Sequence, residues 1–550
     1  MVNEARQSVW EQARATLDGL PDGGLNIAWE ALGRHAEGPA GERIALRCLP
    51  EHGPPREWRY RELAEQAQRF AAVLHQCGLQ PGERVFAMLP PGPEVFVVAL
   101  GSLHFGAVFC PLFAAFGPEP AAARLSAGEA RLLVTTHALA RGRLAGLAAQ
   151  LPGLRRVLTC RGDPAGRDAL EGLLEQAAAA PGPAPTGPET PALLHFTSGT
   201  TGQPKGALHV HEAVVAHLAT ARSVLGLQPG GIFWCTADPG WVTGTSYGLI
   251  APLVVGATVL VDQAGFDPVR WVQRLDAGEA DVWYTSPTAL RMLRRHGVKR
   301  QQRDAGPRLL ATVGEPLDAA TARWSADQLG LAPRDTWWQT ETGAIMLASR
   351  DDTPPGSMGR AVPGVEAAVM QPGADGRPVP AAGEAAGELA LRTPWPSLFR
   401  AYLGQPDRYR QCFAGEWYLT GDRVRRDAQG WYWFLGRSDD VIKTAGHLVG
   451  PFEVEAALLS HPAVAEAGVV GRPDPVAGQV IRAHVILNPG WQPGDDLSRT
   501  LIAHARRRLG SALAPREVRF AERLPHTRSG KILRRALAEA APDGGQQGNN

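Results

Sequence analysis

The sequence predicts an α/β fold whose strands are buried and mostly parallel. Through the first half of the 550-residue chain, short apolar runs alternate with helix-length segments. Such runs are typical of a parallel sheet that helices cover on both faces. Since one hydrophobic core rarely serves a chain of this length, two or more domains are expected. The predicted strands are residues 85–89, 132–135, 157–159, 193–197, 282–284 and 309–313.

The apolar spacing also predicts two helices. Residues 61–76 repeat apolar side chains at helical spacing and end before Gly78, a residue type that commonly caps helix C-termini. The most apolar stretch, residues 95–116, is nearly long enough to span a bilayer. Ser102, His104 and Pro111 interrupt it, so we expect no membrane segment. Gly106 together with Pro111 predicts a buried helix followed by a buried strand.

Three segments depart from this alternation. Residues 162–191 end in a low-complexity stretch of Pro and Ala, which predicts a flexible surface connection. Residues 364–391 are rich in Gly and Pro with short strand-like runs, which indicates a smaller β-rich subdomain. The tail from Pro542 onward is expected to be disordered.

The composition narrows the class of protein. A formal net charge of +1 argues against a general nucleic-acid binder or a membrane-surface protein, which would carry a basic excess. The six cysteines are scattered without a Cys-x-x-Cys pair, which favours a reduced, cytoplasmic protein without structural zinc. The polar N-terminus lacks the apolar core of a secretory signal. Neither nucleic acid nor a membrane is therefore an expected partner.

Lysine is rare in this chain. Only four of the 56 basic residues are lysines, and the others are arginines. Lys205, Lys443 and Lys531 lie in loops beside Gly, Thr or Ser, and the fourth is Lys299. Lysine is a compact point charge and arginine a planar fork, so lysines kept against such a bias indicate sites for phosphate or carboxylate. Chance survival under codon bias is the alternative for any one of them.

A loop rich in hydroxyls and glycine follows the predicted strand 193–197. It runs Thr-Ser-Gly-Thr-Thr-Gly-Gln-Pro-Lys-Gly from Thr197 to Gly206. Backbone N–H groups and hydroxyls in such a loop form a nest for phosphate oxygens, and Lys205 adds a charge. The loop is not a Walker A motif, because Pro204 takes the place of the second glycine and Gly206 follows the lysine. A surface turn is the alternative for a Ser/Thr/Gly cluster alone.

This string resembles the phosphate-binding signature of the adenylate-forming superfamily, which includes acyl-CoA synthetases, peptide-synthetase adenylation domains and luciferases. Four more segments resemble that family's motifs in the family's order, and the resemblance covers roughly residues 25 to 540. They are residues 336–343 (TWWQTETG), 418–422 (YLTGD), 436–440 (GRSDD) and 525–531 (PHTRSGK). An ordered set of motifs is far more specific than any one of them.

The resemblance implies a role for each matching residue. Glu341 would bind the Mg²⁺ of ATP, as suits a carboxylate and a hard cation. Asp422 would accept hydrogen bonds from both ribose hydroxyls, and Arg437 would contact the ribose or the phosphates. The implied nucleotide-binding set is Thr197, Ser198, Gly199, Thr200, Thr201, Gly202 and Lys205 at the phosphates, Gly314, Glu315, Pro316, Asp335, Thr336 and Trp337 at the adenine, with Gln339, Thr340, Asp422 and Arg437.

Lys531 is implied to be the catalytic lysine of a small, mobile α+β C-terminal domain. The resemblance divides the chain into a large N-terminal adenylation domain at residues 1–437 and this domain at 438–550, with Asp439 as the hinge. A carboxylate that attacks the α-phosphate brings two anions together, and an ammonium between them offsets the repulsion. The Pro-x₄-Gly-Lys context also resembles a segment acetylated in related synthetases, which implies a lysine acetyltransferase and a deacetylase as partners.

Within the superfamily, residues 237–244 (ADPGWVTG) and the segment around Trp338 resemble acetyl-CoA synthetases. A tryptophan at the floor of the acyl pocket leaves little volume, so acetate is the expected acid. Propionate is expected to be accepted as well, because one methylene is worth only about 1–3 kcal/mol. The implied pocket residues are Trp241, Val242, Thr243, Val313 and Trp338.

The remaining implied reactant is coenzyme A, which would join ATP and Mg²⁺. Gly446 would lie by its pantetheine arm and Arg506 at its nucleotide end, although residues 506–508 also suit a solvated helix face. One position departs from the family: Leu448 stands where the family has an arginine that contacts the nucleotide phosphates. A charge-assisted contact of that kind is worth about 1.5–3 kcal/mol.

Other functions stay open from the sequence alone. Residues 244–248 (GTSYG) match the nucleophile elbow of α/β-hydrolases, but a turn rather than a strand precedes them. His209 and His211 form a pair without an obvious third metal ligand. No acidic residue stands at Trp241 or Val242 to hold an amine, which disfavours an amino-acid-activating domain. A synthetase for another short acid, such as propionate, and a nucleotide-binding pseudoenzyme are the further alternatives.

Overall fold

A computed structural model describes residues 2–163, 166–179, 182–198, 204–437, 442–444, 447–474, 478–509, 513–526 and 532–539. Within these ranges the strands form four sheets. The α-helices are Val2–Arg14, Arg34–Ala36, Tyr60–Gln76, Pro93–Phe105, Pro118–Ala127, His137–Arg141, Leu170–Gln176, Ala213–Ser223, Val242–Thr245, Ala251–Val255, Pro268–Asp276, Pro287–Arg295, Ala319–Trp324, Pro406–Arg410, Pro451–Leu459, Asp495–Leu509 and Arg534–Glu539.

The first sheet has a parallel core, as the buried apolar runs predicted. The strands from Ile44–Leu49 through Pro333–Trp337 pair in parallel, and short antiparallel strands close both edges. Edge to edge, the sheet contains Arg360–Ala361, Leu347–Ala348, Pro333–Trp337, Leu309–Thr312, Val282–Thr285, Ile232–Cys235, Thr258–Asp262, Ile44–Leu49 and Arg56–Arg59.

The second sheet carries the remaining predicted parallel strands. Its parallel part ends at Pro191–Ser198, where Pro204–Val210 turns back antiparallel and places the Ser/Thr/Gly loop at a strand end. The order is Ala401–Tyr402, Pro204–Val210, Pro191–Ser198, Val108–Pro111, Arg84–Met88, Leu132–Thr136 and Arg156–Cys160.

Both predicted helices are present and pack against each other. Tyr60–Gln76 buries one face on Pro93–Phe105, which is buried along most of its length. Gly106 ends the second helix with φ +82°, a left-handed conformation that favours glycine. The strand Val108–Pro111 follows, so residues 95–116 form the expected buried helix and strand.

The flexible connection predicted for residues 162–191 is wrong in its described part. The segment contains the helix Leu170–Gln176, and Leu170 is fully buried. Thr186 is also buried, where its hydroxyl donates to the Leu25 carbonyl at 2.8 Å and accepts from the Asn26 amide at 3.1 Å. Low complexity did not prevent ordering here, because a few apolar and hydroxyl side chains anchor the segment against the N-terminal part of the protein.

The third sheet is entirely antiparallel and confirms the β-rich subdomain. It extends beyond the predicted end at residue 391 and reaches Arg437. Its strands are Pro378–Pro380, Ala367–Pro372, Ala385–Arg392, Trp417–Arg426 and Phe413–Ala414, with Tyr432–Arg437 paired to Trp417–Arg426.

The fourth sheet and its helices form the expected small α+β unit. Pro451–Leu459 and Asp495–Leu509 pack on the sheet around a hydrophobic cluster of their own. The strands are His447–Val449, Ile442–Thr444, Gly478–Leu487, Val464–Asp474 and Glu517–Phe520. Phe452 contacts Phe434 of the third sheet at a ring separation of 5.7 Å. In the part of the chain that the structure describes, no helix is both long and apolar enough to cross a membrane.

Candidate active site

Several of the predicted nucleotide-binding residues that the structure describes converge where the first three sheets meet. Thr197 and Lys205 are directly paired at the ends of their strands in the second sheet. The segment from Trp337 to Glu341 leaves the first sheet at the end of Pro333–Trp337. Asp422 and Arg437 are paired across the third sheet. Residues far apart in the sequence therefore come together at this junction of the three sheets, the candidate cleft.

A lysine, a tyrosine and a glutamate form the first group in this cleft. The Lys205 Nζ atom lies 5.4 Å from the centre of the Tyr402 ring. The Tyr402 hydroxyl donates a hydrogen bond to Glu341 Oε1 at 2.6 Å. Burial lowers the pKa of Lys205, and the nearby positive charge of Arg408 adds to the effect. A cation over the ring and a carboxylate bonded to its hydroxyl thus share one tyrosine.

The carboxylate of Asp422 forms the second group. It is 4 % exposed and accepts from three side chains: Trp337 Nε1 at 2.9 Å, Gln339 Nε2 at 3.1 Å and Arg437 Nη1 at 2.8 Å. Gln339 is fixed in turn by the Tyr418 hydroxyl, which donates to its Oε1 at 2.9 Å. Since a carboxylate has about four acceptor positions, these donors must share Asp422 with any ribose hydroxyl.

The side chains predicted at the adenine are largely engaged within the protein. Glu315 accepts from the Thr288 backbone N–H at 2.6 Å and pairs with Arg291 at 2.7 Å. Asp335 accepts from the Thr312 hydroxyl at 2.8 Å, and burial raises its pKa to about 7. Gly314, in contrast, has φ +96° and faces open space where a side chain would stand. A flat base would therefore meet backbone beside Gly314 more readily than these carboxylates.

Four of the five predicted acyl-pocket residues fall into two hydrophobic clusters, and the fifth, Thr243, lies in the helix Val242–Thr245. Val313, Trp338 and Val242 belong to one cluster. Trp241 belongs to another, where its ring packs against Phe113 and Phe116 at 5.5 and 6.1 Å. Trp241 also immediately precedes the helical run that starts at Val242.

A cavity of about 360 Å³ adjoins this helical run. Its wall includes Thr236, Asp238, Gly244 and Trp271. Burial raises the pKa of Asp238 to about 7, although the Gly240 N–H donates to its carboxylate at 2.7 Å. The cavity falls in the size range of small-molecule sites.

Several predicted residues lie outside the described residues: Gly199, Thr200, Thr201, Gly202, Asp439, Gly446 and Lys531. For Ser198, Lys443 and Leu448 the structure describes the backbone only. Arg506 is exposed on the helix Asp495–Leu509. The roles assigned to these residues stay predictions.

The structure explains the sequence motifs that suggested a hydrolase or a metal site. Ser246 is 1 % exposed and lies inside a helical run from Val242 to Val255, so it is not held on a strand-to-helix elbow. His209 and His211 are buried, with hydrogen-bond contacts to the Ser397 carbonyl and the Ile27 N–H. Among the described residues, no group of three or more His, Cys, Asp or Glu side chains is arranged to hold a metal ion.

Sequence reasoning missed the aromatic hydroxyls that orient the site. Tyr402 holds Glu341, Tyr418 holds Gln339, and Tyr284 accepts from the Trp338 indole. These tyrosines are 61, 79 and 54 residues from their partners. Tyr418 opens the YLTGD motif, but the motif did not indicate that its hydroxyl would orient Gln339. Tyr284 ends a predicted strand, and no motif marks Tyr402.

This chain is similar to known proteins along nearly its whole length. Residues 32–403 match the family model described as AMP-binding enzyme, and residues 453–531 match the AMP-binding enzyme C-terminal domain. The acetyl-coenzyme A synthetase of Bacillus subtilis is 39 % identical over 96 % of this chain and 92 % of its own length. That of Novosphingobium aromaticivorans is 38 % identical over 97 % of this chain and 86 % of its own length.

Solved structures are also similar to this chain along nearly its whole length. An acyl-CoA synthetase from Brucella canis is 32 % identical, with a TM-score of 0.73 and 96 % of both chains covered. An anthranilate CoA ligase in complex with anthranoyl-AMP is 27 % identical, with a TM-score of 0.85 over 94 % of this chain and 98 % of the other.

Proposed function

This chain belongs to the AMP-binding enzyme family, and from that membership we propose that it is an AMP-forming acetate–CoA ligase. It activates acetate with ATP to acetyl-AMP and pyrophosphate, and then transfers the acetyl group to coenzyme A with release of AMP. ATP, Mg²⁺ and coenzyme A are the reactants and cofactor of this activity. The proposal depends mainly on one short segment of the chain. In it, Gln339 donates a hydrogen bond to Asp422, and Glu341 accepts one from Tyr402, whose ring lies beside Lys205.

In the first half-reaction, we propose that the residues of the cleft position ATP. Asp422 orients the ribose and Lys205 the phosphates. The Glu341 carboxylate suits Mg²⁺, which proteins commonly hold by one or two carboxylates together with substrate phosphates. Bound Mg²⁺ would neutralise phosphate charge. Positioning the carboxylate and the α-phosphate in one site supplies a large part of the rate.

For the second half-reaction, we propose that the 360 Å³ cavity beside Asp238 receives the slender thiol-bearing arm of coenzyme A. It adjoins the start of the helix that carries Val242, a proposed acyl-pocket residue. We further propose a domain boundary after Arg437, with Asp439 as the hinge, since the third sheet ends at Arg437 and the fourth begins at Ile442.

A cytoplasmic location is part of the proposal, and the free state of all six cysteines favours it. A lysine acetyltransferase and a deacetylase that act on Lys531 are proposed as protein partners. Acetylation removes the lysine charge, so its effect should parallel that of an alanine at this position.

A panel of short acids tests the activity. Acetate-dependent ATP–pyrophosphate exchange, with AMP release on addition of coenzyme A, is the expected result, and propionate should give a weaker response. A pseudoenzyme would show no exchange with any acid. A hydrolase would cleave esters without ATP and lose that activity in Ser246→Ala, whereas the proposed ligase should retain exchange in this variant.

Asp422→Asn is expected to raise the KM for ATP about 10- to 100-fold, because a charge-assisted hydrogen bond is worth about 1.5–3 kcal/mol. The asparagine amide has one acceptor oxygen, whereas the carboxylate has two. The amide therefore cannot accept hydrogen bonds from Trp337, Gln339 and Arg437 as the carboxylate does. Exchange kinetics with varied ATP, together with the Tm, give the measurement.

Asp427→Asn is the matched control for Asp422→Asn. Asp427 also accepts from a tryptophan, Trp433 Nε1 at 2.9 Å, but it follows the far end of the same strand. This control should lower the Tm and leave the KM for ATP unchanged. If both variants have the same KM for ATP, then Asp422 does not contact the nucleotide.

Leu448→Arg is expected to lower the KM for ATP by several fold, since it restores the family's phosphate contact. The backbones of Lys443 and Leu448 are paired across the hairpin, and we propose that Lys443 supplies a cation in place of the family's arginine. Lys443→Ala should therefore raise the KM, and Leu448→Arg should then restore it. Unchanged kinetics in Leu448→Arg would mean that Lys443 or another group already fills the role.

A further inference from the structure

The indole of Trp338 has a single hydrogen-bonding group, its N–H, and the hydroxyl of one tyrosine accepts its hydrogen bond. Trp338 Nε1 donates to the Tyr284 hydroxyl at 3.2 Å. Trp338 is 8 % exposed and Tyr284 is 0 % exposed, so water does not replace this contact easily. An indole N–H is a donor only, and when buried it needs an acceptor.

The direction of the neighbouring hydrogen bonds leaves Tyr284 as that acceptor. The Tyr284 hydroxyl lies 2.8 Å from Thr336 Oγ1, and Thr336 donates its own proton to the Thr312 carbonyl at 2.7 Å. Each hydroxyl has one proton, so Tyr284 must donate to Thr336, and its oxygen then faces the indole. Burial holds the pKa of Tyr284 well above its usual value, which keeps the proton in place.

A second tyrosine contacts the same indole without a hydrogen bond to it. The Tyr247 ring meets Trp338 edge to face at 5.1 Å and 68°. Its hydroxyl is engaged elsewhere, where it accepts from the Ile345 backbone N–H at 2.8 Å and lies 2.7 Å from Thr220 Oγ1. Packing against Tyr247 restricts the indole, but only the bond to Tyr284 is directional enough to fix its rotation.

We propose that Tyr284 is a positioning residue that sets acyl-chain length by holding the Trp338 indole across the floor of the acyl pocket. The proposal rests on the acetate-activating function above and on Trp338 as a pocket residue. The hydrogen-bond chain also joins the ends of Leu309–Thr312 and Pro333–Trp337, from which Val313 and Trp338 extend. Thus one chain fixes two pocket residues relative to each other.

Tyr284→Phe tests the proposal while keeping the ring and its packing. Without the hydroxyl the buried indole N–H has no acceptor, so the indole leaves its single orientation for part of the time. We expect the ratio of kcat/KM for propionate to that for acetate to rise about 3- to 10-fold, a fraction of the 10- to 200-fold that one methylene can give.

Tyr247→Phe is the matched control, because it deletes one hydroxyl from the other tyrosine against the same indole. Both tyrosines are fully buried, so both variants lose buried hydrogen bonds and should show a lower Tm. The propionate-to-acetate ratio of Tyr247→Phe should stay within about 2-fold of the wild type, since its hydroxyl does not contact the indole. Equal shifts in both variants would overturn the proposal and leave general loosening as the cause.

A double-mutant cycle with Trp338→Phe isolates the hydrogen bond. Phenylalanine has no N–H, so adding Tyr284→Phe to Trp338→Phe should change the ratio by less than about 2-fold. A full shift in that background would also overturn the proposal. Failure of the proposed function is seen separately, as a wild-type protein that releases no AMP with acetate, ATP and coenzyme A.

Discussion

Lys531→Ala is expected to abolish acetate-dependent ATP–pyrophosphate exchange and to spare the conversion of acetyl-AMP and coenzyme A to acetyl-CoA. In its proposed role the ammonium offsets repulsion between acetate and the α-phosphate only in the first half-reaction, and removal of one such electrostatic group costs about 10²- to 10³-fold in rate. Exchange of labelled pyrophosphate measures the first step, and thiol consumption from synthetic acetyl-AMP measures the second.

Two variants sharpen this test. Lys299→Ala removes another of the four lysines, an exposed one, and should leave both half-reactions unchanged. Lys531→Arg keeps the charge but replaces a compact ammonium with a planar fork, so it should recover little of the exchange. Survival of both half-reactions in Lys531→Ala would refute the assigned role, and so would the loss of both.

Trp338→Gly is expected to give measurable activity with butyrate and longer acids. Catalytic efficiency with these acids should rise by about 10-fold or more, while efficiency with acetate falls. As the proposed floor of the pocket, the buried indole would occupy the volume that a longer chain needs, and its removal would leave that volume open. Truncating a core aromatic also costs about 3–5 kcal/mol of stability, so the Tm must be measured beside the acid panel.

Trp324→Gly is the control for that loss of stability. Trp324 is half-buried against a separate hydrophobic cluster, away from Trp338. This variant should lower the Tm without any gain on butyrate. If Trp338→Gly likewise gains nothing on longer acids, then Trp338 does not form the floor of the pocket.

Much of the fold followed from local patterns. The apolar runs 282–284 and 309–313 became neighbouring parallel strands, because a strand buried on both faces must be apolar throughout. The described part of residues 162–191 was mispredicted because composition describes an average, whereas a few contacts, such as those of Thr186, order that part. A tertiary contact of that kind has no local sequence signal.

In the candidate site, too, the sequence predicted one part and only the structure showed the rest. The order of the motifs indicated Glu341, Lys205 and Asp422, because phosphate, Mg²⁺ and ribose each require a particular side-chain type. It did not indicate that three protein donors would already share Asp422, or that Tyr402 would orient Glu341. Those facts depend on where strands from different sheets end.

By itself, the sequence determined which chemical groups this protein carries and in what order they occur. Residue type fixes charge, acceptor count and side-chain volume, and these properties belong to each residue alone. Only the tertiary structure decided which groups hold one another, such as Tyr284 and Trp338, which are 54 residues apart. A hydrogen bond requires two atoms within about 3 Å, and sheet packing brings such atoms together from distant parts of the chain.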